Sequence, residues 1–315
     1  MSLGGKALHA LFRGVGSLPL WMLYGLADIL TFMAGRVIGY RRGVIRRNID
    51  SSFPEKNLAE RRGIERQFYR FLGDYFVETL RLGGMSRKVL GRRMRFENVE
   101  EVDSCLRQGR DVVLYLGHYC NWEWISSIPL HHSHTSDAGK SVRFGQIYHP
   151  LENRAFDEAF LAIRGRCGAV SIPMADTLGV LRGWRRAGEP FIVGFISDQA
   201  PILEGIHYFA DFLNHPETPT YTGAERIARM FDAAVFYCDI RREKRGHYVC
   251  RYERMTDAPK SMPTFALSQM YYDLLARSIR RQPPYWLWSH NRWKRTRRDF
   301  EAKYGDEARR RLERL

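Results

Sequence analysis

Beyond residue 99, short apolar runs alternate with stretches of helical periodicity, and no other feature limits the fold of this 315-residue chain so strongly. The runs at 112–116 and 191–196 read as buried strands, and those at 143–148 and 169–172 as further strands. Helical stretches follow His118 and occupy 152–163, 176–186 and 221–231. The segments 234–240 and 247–252 read as a pair of strands, followed by a long helix over 265–281. This order predicts an α/β fold built on a mixed, largely parallel sheet flanked by helices. With 44% of residues hydrophobic and 13% aromatic, the chain has the means to bury a full core. No internal repeat or low-complexity linker interrupts the pattern.

The N-terminal part obeys a different rule. Pro19 to Ile38 is the most apolar stretch, close to the roughly 20 residues that cross a bilayer as a helix. Asp28 and Arg36 lie inside it, and a carboxylate at the centre of a spanning helix costs on the order of 2.5–3.5 kcal/mol. A helix lying in the interface is therefore the rival to a spanning one. No small-x-small cleavage pattern marks it as a signal peptide. Arg41, Arg42, Arg46 and Arg47 follow it and place the rest of the chain on the cytoplasmic side. The five cysteines are scattered, without paired metal or redox spacing, which fits a reduced compartment. Asn57 and Glu60 have the spacing of a reciprocal helix cap. Beyond it Ile64, Phe68, Phe71, Leu72, Tyr75, Phe76 and Leu80 form one apolar stripe, suited to packing on the domain or to contact with lipid. A net charge of +15 calls for partners of negative charge: nucleic acid, anionic lipid or an acidic protein.

Chemistry concentrates at strand ends. Gly117-His118 closes the run 112–116, at the edge of the sheet where α/β folds bind ligands, and Glu123 follows five positions on. A neutral imidazole takes a proton from a hydroxyl, and a carboxylate on its other nitrogen fixes the tautomer. The same pair could cap a helix or sit in the core. Asp198 and Gln199 follow the run 191–196 and fall at the same edge, where a plain turn is the alternative. Arg164 and Arg166, with Gly165 and Gly168, end a helix; they suit phosphate or carboxylate recognition, or simply the helix dipole. Residues 212–223 read as a polar, proline-rich loop, and Gly223 opens a helix whose N-terminus could hold an anion. His131, His132 and His134 lack ligands at metal spacing, and Cys120 serves equally as a buried filler or a nucleophile. The aromatic and basic tract from Tyr285 to Lys294, with Arg292 inside it, suits a membrane interface or stacking on single-stranded nucleic acid. No nucleic-acid-binding motif accompanies it.

Taken in order, these pieces resemble the bacterial lipid A biosynthesis (late) acyltransferases, within the lysophospholipid acyltransferase-like group. The likeness rests on Gly39-Tyr40-Arg41-Arg42, Asn48, Phe53-Pro54-Glu55, the H-x-x-x-x-E box at His118 and Glu123, and Arg164, Arg166 and Gly168. It continues through Asp198-Gln199, Gly223 and Trp288-Ser289-His290-Asn291-Arg292-Trp293-Lys294. The resemblance implies a glycerolphosphate acyltransferase-like fold, with an N-terminal membrane anchor and basic flank over 1–50 and an acyltransferase domain over 51–315. It implies an inner-membrane O-acyltransferase acting on a lipid acceptor, with acyl carrier protein as the usual donor and acyl-CoA as the other, and no metal or organic cofactor. His118 would be the general base and Glu123 its orienting partner. Arg164 or Arg166, Asp198, Gln199, Gly223 and Arg292 would hold the substrate, and nucleic acid would not be a partner. One departure stands out: Pro283-Pro284-Tyr285 replaces the Pro-Glu-Gln of many members. A lysophospholipid, aminolipid or glycosylated phospholipid acceptor is therefore the alternative to a lipid A precursor, and a non-catalytic binding protein the third.

Overall fold

A computed structural model describes residues 1–312. Four helices lead the chain: α1 (Leu3–Gly16), α2 (Leu20–Phe32), α3 (Arg42–Ser52) and α4 (Leu58–Gly84). Helix α4 begins where the cap was expected. Glu60 N–H donates to the Asn57 side chain, and the Glu60 carboxylate accepts from the Asn57 N–H. Most of its apolar stripe packs inward, with Ile64, Phe68 and Phe71 in the main core, while Phe76 stays exposed.

A short helix α5 (Arg87–Arg93) precedes β1 (Met94–Glu97), α6 (Val99–Arg107) and β2 (Val112–Leu116). Then come β3 (Arg143–Tyr148), α7 (Arg154–Arg164), β4 (Val170–Pro173), α8 (Thr177–Arg186) and β5 (Phe191–Ile196). The 212–223 segment, expected to be a loop, is half of an antiparallel hairpin, β6 (Tyr208–Phe212) and β7 (His215–Thr220), followed by α9 (Gly223–Phe231). The chain closes with β8 (Ala234–Lys244), β9 (His247–Thr256), α10 (Ala266–Arg281), α11 (Arg297–Tyr304) and α12 (Glu307–Leu312).

Seven strands form one sheet in the order β1-β9-β8-β2-β5-β3-β4. Every neighbouring pair is parallel except β8 and β9, joined by a tight turn. The sheet is thus mixed and largely parallel, with helices around it, as the alternation predicted. Strand β2 lies at the centre with all five residues buried. Leu116 of β2 is in register with Ile196 of β5, so His118 and Asp198, each two residues further on, leave the sheet side by side.

The expected helix after His118 is instead a turn leading into a 3-10 helix, Trp124–Leu130. Ser126 and Ser127 donate their hydroxyls to the carbonyls three residues back, and Pro129 lacks an N–H. Both features work against an α-helical ladder.

Leu20–Ile38, formed by α2 and a π-helical turn Met33–Ile38, is long and apolar enough to cross a membrane, and little of it is buried. Leu23 and Ala27 pack on Val77 of α4, while Trp21, Ile29, Phe32 and Val37 face outward. Asp28 is held outside the apolar face by Arg245, at 2.6 Å. The division expected at residue 50 falls inside α3. Ile45 and Ile49 of that helix are in the main core, and Asn48 donates to the carbonyls of Trp288 (2.9 Å) and His290 (2.7 Å).

Candidate active site

The parallel register of β2 and β5 brings two short loops together, and their side chains interlock. His118 Nδ1 lies 2.6 Å from Asp198 Oδ1, and the His118 backbone N–H donates to Asp198 Oδ2 at 2.9 Å. Trp286 Nε1 donates to the same Oδ2 at 2.7 Å. Burial would raise the Asp198 carboxyl, but His118 and the donors around it hold it below the usual carboxylate range. With Nδ1–H committed to Asp198, Nε2 is the basic atom, and Gln199 Nε2 lies 3.2 Å from it. Gly117 permits this closeness: a Cβ there would stand 2.7 Å from Leu275 and 3.3 Å from Asp198 Oδ2.

Glu123, expected to orient His118, does not hold its ring. Its two oxygens accept from Arg164 Nε (2.7 Å) and Nη2 (2.6 Å), a bidentate pair, and Tyr75 donates its hydroxyl at 3.3 Å. Burial works against the charge on Glu123, yet the Arg164 guanidinium keeps this carboxyl below its ordinary range. Asp198, not Glu123, occupies the orienting position. The two arginines also separate. Arg164 lines the cavity, whereas Arg166 turns away to the carbonyls at the end of α4, reaching Gly83 at 2.6 Å.

His118, Glu123, Arg164, Gln199 and Gly223 all line one cavity of about 530 Å³. Its floor is the sheet face carrying Leu114 and Leu116 of β2, Ile192, Gly194 and Ile196 of β5, and Phe144 of β3. The opposite wall is Trp122, Ile125, Ile128 and Pro129. A largely apolar cavity with His118, Glu123, Arg164 and Gln199 in its lining has the form of a site for a long hydrocarbon chain with a reactive head.

Arg292, expected to touch substrate, is fully buried and absent from the cavity wall. It donates to the Pro219 carbonyl (2.7 Å) and to the Tyr272 hydroxyl (2.9 Å), which in turn donates to the Ser197 carbonyl. Arg292 thus braces the loop that carries Asp198. Next to it, Ala200 N–H donates to His290 Nε2 at 3.0 Å, and burial pushes that imidazole down to about 4, so it stays neutral.

Sequence reasoning missed Glu78, a fully buried carboxylate on α4. It accepts from Asn121 (2.8 Å), Tyr248 (2.7 Å) and Tyr24 (2.8 Å), fixing the turn between His118 and Glu123. The only sequence signal is an acidic residue within an apolar stripe. Cys120 is no nucleophile: its thiol is buried at 3.7 Å from the Ile240 carbonyl, and burial pushes its pKa far up. His132 is spent on Asp103 and Tyr252, and His134 on the Pro129 carbonyl. No cluster of metal-ligating side chains occurs among the described residues.

A comparison with curated proteins gives no match. The family model described as bacterial lipid A biosynthesis acyltransferase matches residues 7–295, a span that takes in the apolar helix, the loops bearing His118 and Asp198 and the tryptophan-rich end. The chain therefore belongs to the bacterial lipid A biosynthesis acyltransferase family, and its activity is acyl transfer.

Proposed function

We propose that the protein transfers a fatty acyl chain from an acyl-carrier-protein thioester to a hydroxyl of a lipid A precursor, with His118 as general base. The observation that carries this reading is the His118–Asp198 pair with His118 opening onto a largely apolar cavity. The acyl chain lies along the floor of β2 and β5, which sets its thioester carbonyl beside the imidazole. The acceptor hydroxyl gives its proton to His118 Nε2 as its oxygen attacks that carbonyl. Asp198 accepts from Nδ1–H throughout and stabilises the imidazolium. The tetrahedral intermediate then collapses, breaking the carbon–sulfur bond, and the departing thiolate takes the proton back from His118.

The backbone N–H of Cys120 is not free to serve as an oxyanion donor, because it is bonded to the Tyr285 carbonyl at 2.8 Å. The amide of Gln199 and the start of α9 at Gly223, both on the cavity wall, supply donors at this end. Arg164 and Glu123 form the rigid polar rim against which the acceptor docks. The apolar helix Leu20–Ile38 and the surplus of positive charge attach the enzyme to an anionic membrane, with the site on the cytoplasmic face of the inner membrane.

Mass spectrometry of lipids from cells lacking this chain tests the reading. A lipid lighter by one acyl chain, restored by wild type and not by His118→Ala, supports it and identifies the acceptor. In vitro His118→Ala should cost roughly 10²–10⁴-fold in rate. A variant with near-normal rate would remove His118 from the mechanism.

A further inference from the structure

A second hollow, of about 1210 Å³, opens between the π-helical turn, α3, α4 and the turn joining β8 to β9. It shares no lining residue with the catalytic cavity. Nine cations and four carboxylates line it, a surplus of five positive charges. Several of the cations are spent within the protein: Arg46 and Arg62 on Glu65, Arg242 and Arg245 on Asp74. Arg36, Arg66 and Arg70 are not. All three are exposed, and their side chains make no hydrogen bond or ion pair among the described residues. Arg66 and Arg70 stand one turn apart on α4, on the same face.

One exposed apolar side chain, Phe32, borders these charges. Phe32 belongs to both the hollow and the outward face of Leu20–Ile38, with 59% of its surface exposed, and Ile29 and Met33 lie beside it. A ligand that satisfies both halves carries a negative head and a hydrocarbon tail. An acidic protein would meet the arginines but leave Ile29, Phe32 and Met33 in water.

We propose that this hollow binds the phosphate of an anionic glycerophospholipid, whose acyl chains lie against Ile29, Phe32 and Met33. The inference rests on the membrane-attached reading above and gives it a defined headgroup site. Planar, multidentate guanidinium groups suit the phosphate oxygens. The bound lipid would hold α4, which also carries Tyr75 and Glu78, at a fixed height on the bilayer.

The test is flotation of the full chain with vesicles of phosphatidylcholine alone or with about a fifth phosphatidylglycerol. Arg36→Gln/Arg66→Gln/Arg70→Gln should lower affinity for the phosphatidylglycerol vesicles by roughly 100-fold, from three lost lipid-facing charges at about fivefold each. Binding to the neutral vesicles should not change. Lysine at all three positions should restore most of the binding. Three exposed cations elsewhere, Arg47, Lys88 and Arg92, exchanged for glutamine serve as the control. An equal loss there would mean diffuse surface charge and would overturn the site. Glycerol phosphate in millimolar excess should compete weakly. If it abolished vesicle binding outright, the site would be one for soluble phosphate. If the triple variant kept vesicle affinity but lost affinity for purified acyl carrier protein, the hollow would be a protein dock. His118→Ala should float like wild type, so failure of acyl transfer and failure of this site remain distinguishable.

Discussion

Gly194→Val should shorten the acyl chain that the enzyme prefers. Gly194 sits mid-strand in β5, in register with Leu114 on one side and Gln146 on the other, and its missing side chain leaves the trough open at the middle of its floor. A Cβ built there meets only Leu116, at an ordinary 3.4 Å, so valine fits without moving the backbone. Its methyl groups enter the cavity and displace about two methylenes of bound chain. At about 0.8 kcal/mol for each buried methylene, the displaced chain loses about 1.6 kcal/mol, a factor of roughly 15. Valine also favours a strand where glycine weakens it, so folding should not suffer. Acyl-carrier-protein thioesters of graded length, offered in competition with products weighed by mass spectrometry, read this directly. The preferred length should fall by about two carbons, with kcat/KM for the original chain down by that factor. An unchanged length profile would mean that the hydrocarbon does not cross the sheet floor, and the assignment of this cavity would fail with it.

The two carboxylates near His118 should separate kinetically. Asp198→Asn should lower kcat on the order of 10²–10⁴-fold through the wrong tautomer, while Glu123→Gln should cost less in rate than in thermal stability; the reverse order would restore Glu123 as the orienting residue. Arg164→Met leaves Glu123 buried without its partner and should destabilise by about 3 kcal/mol, and adding Glu123→Gln should recover at least half, measured by chemical unfolding in detergent. His290 has its imidazole held near 4 against an unfolded value of 6.5, so the unfolded chain binds more protons between those values and stability falls as pH drops through that window. His290→Gln, whose amide oxygen can accept the Ala200 N–H, should show a shallower loss of Tm over the same range.

Much of the sheet was legible because buried parallel strands announce themselves as unbroken apolar runs, and 112–116 and 191–196 match the strands to the residue. Strand β1 was not legible: Met94-Arg95-Phe96-Glu97 is short, half exposed at the sheet edge and alternates with charge. The hairpin of β6 and β7 was hidden by Pro216 and Pro219, residues tolerated there because a two-stranded ribbon has free edges. At the site, sequence spacing drew attention to His118 with Glu123, since both lie in one box. The actual partner, Asp198, comes from a strand 80 positions later. Only the register of β2 and β5 pairs them, and register between distant strands leaves no local mark. The same applies to Arg292, whose basic neighbours suggest a surface role although its own side chain is wholly enclosed.

The order in which the ribosome delivers these parts has its own consequence. Asp198 waits for Trp286, 88 positions later, and the segment bearing Trp286 is itself pinned by Asn48, 240 positions before Trp288. The apolar helix and α3 are made first and can reach the membrane while the loop bearing Asp198 still lacks its brace. A nascent chain therefore carries its apolar helix before the His118–Asp198 pair is braced, and a chain that stops short of Trp286 never completes that pair's surroundings.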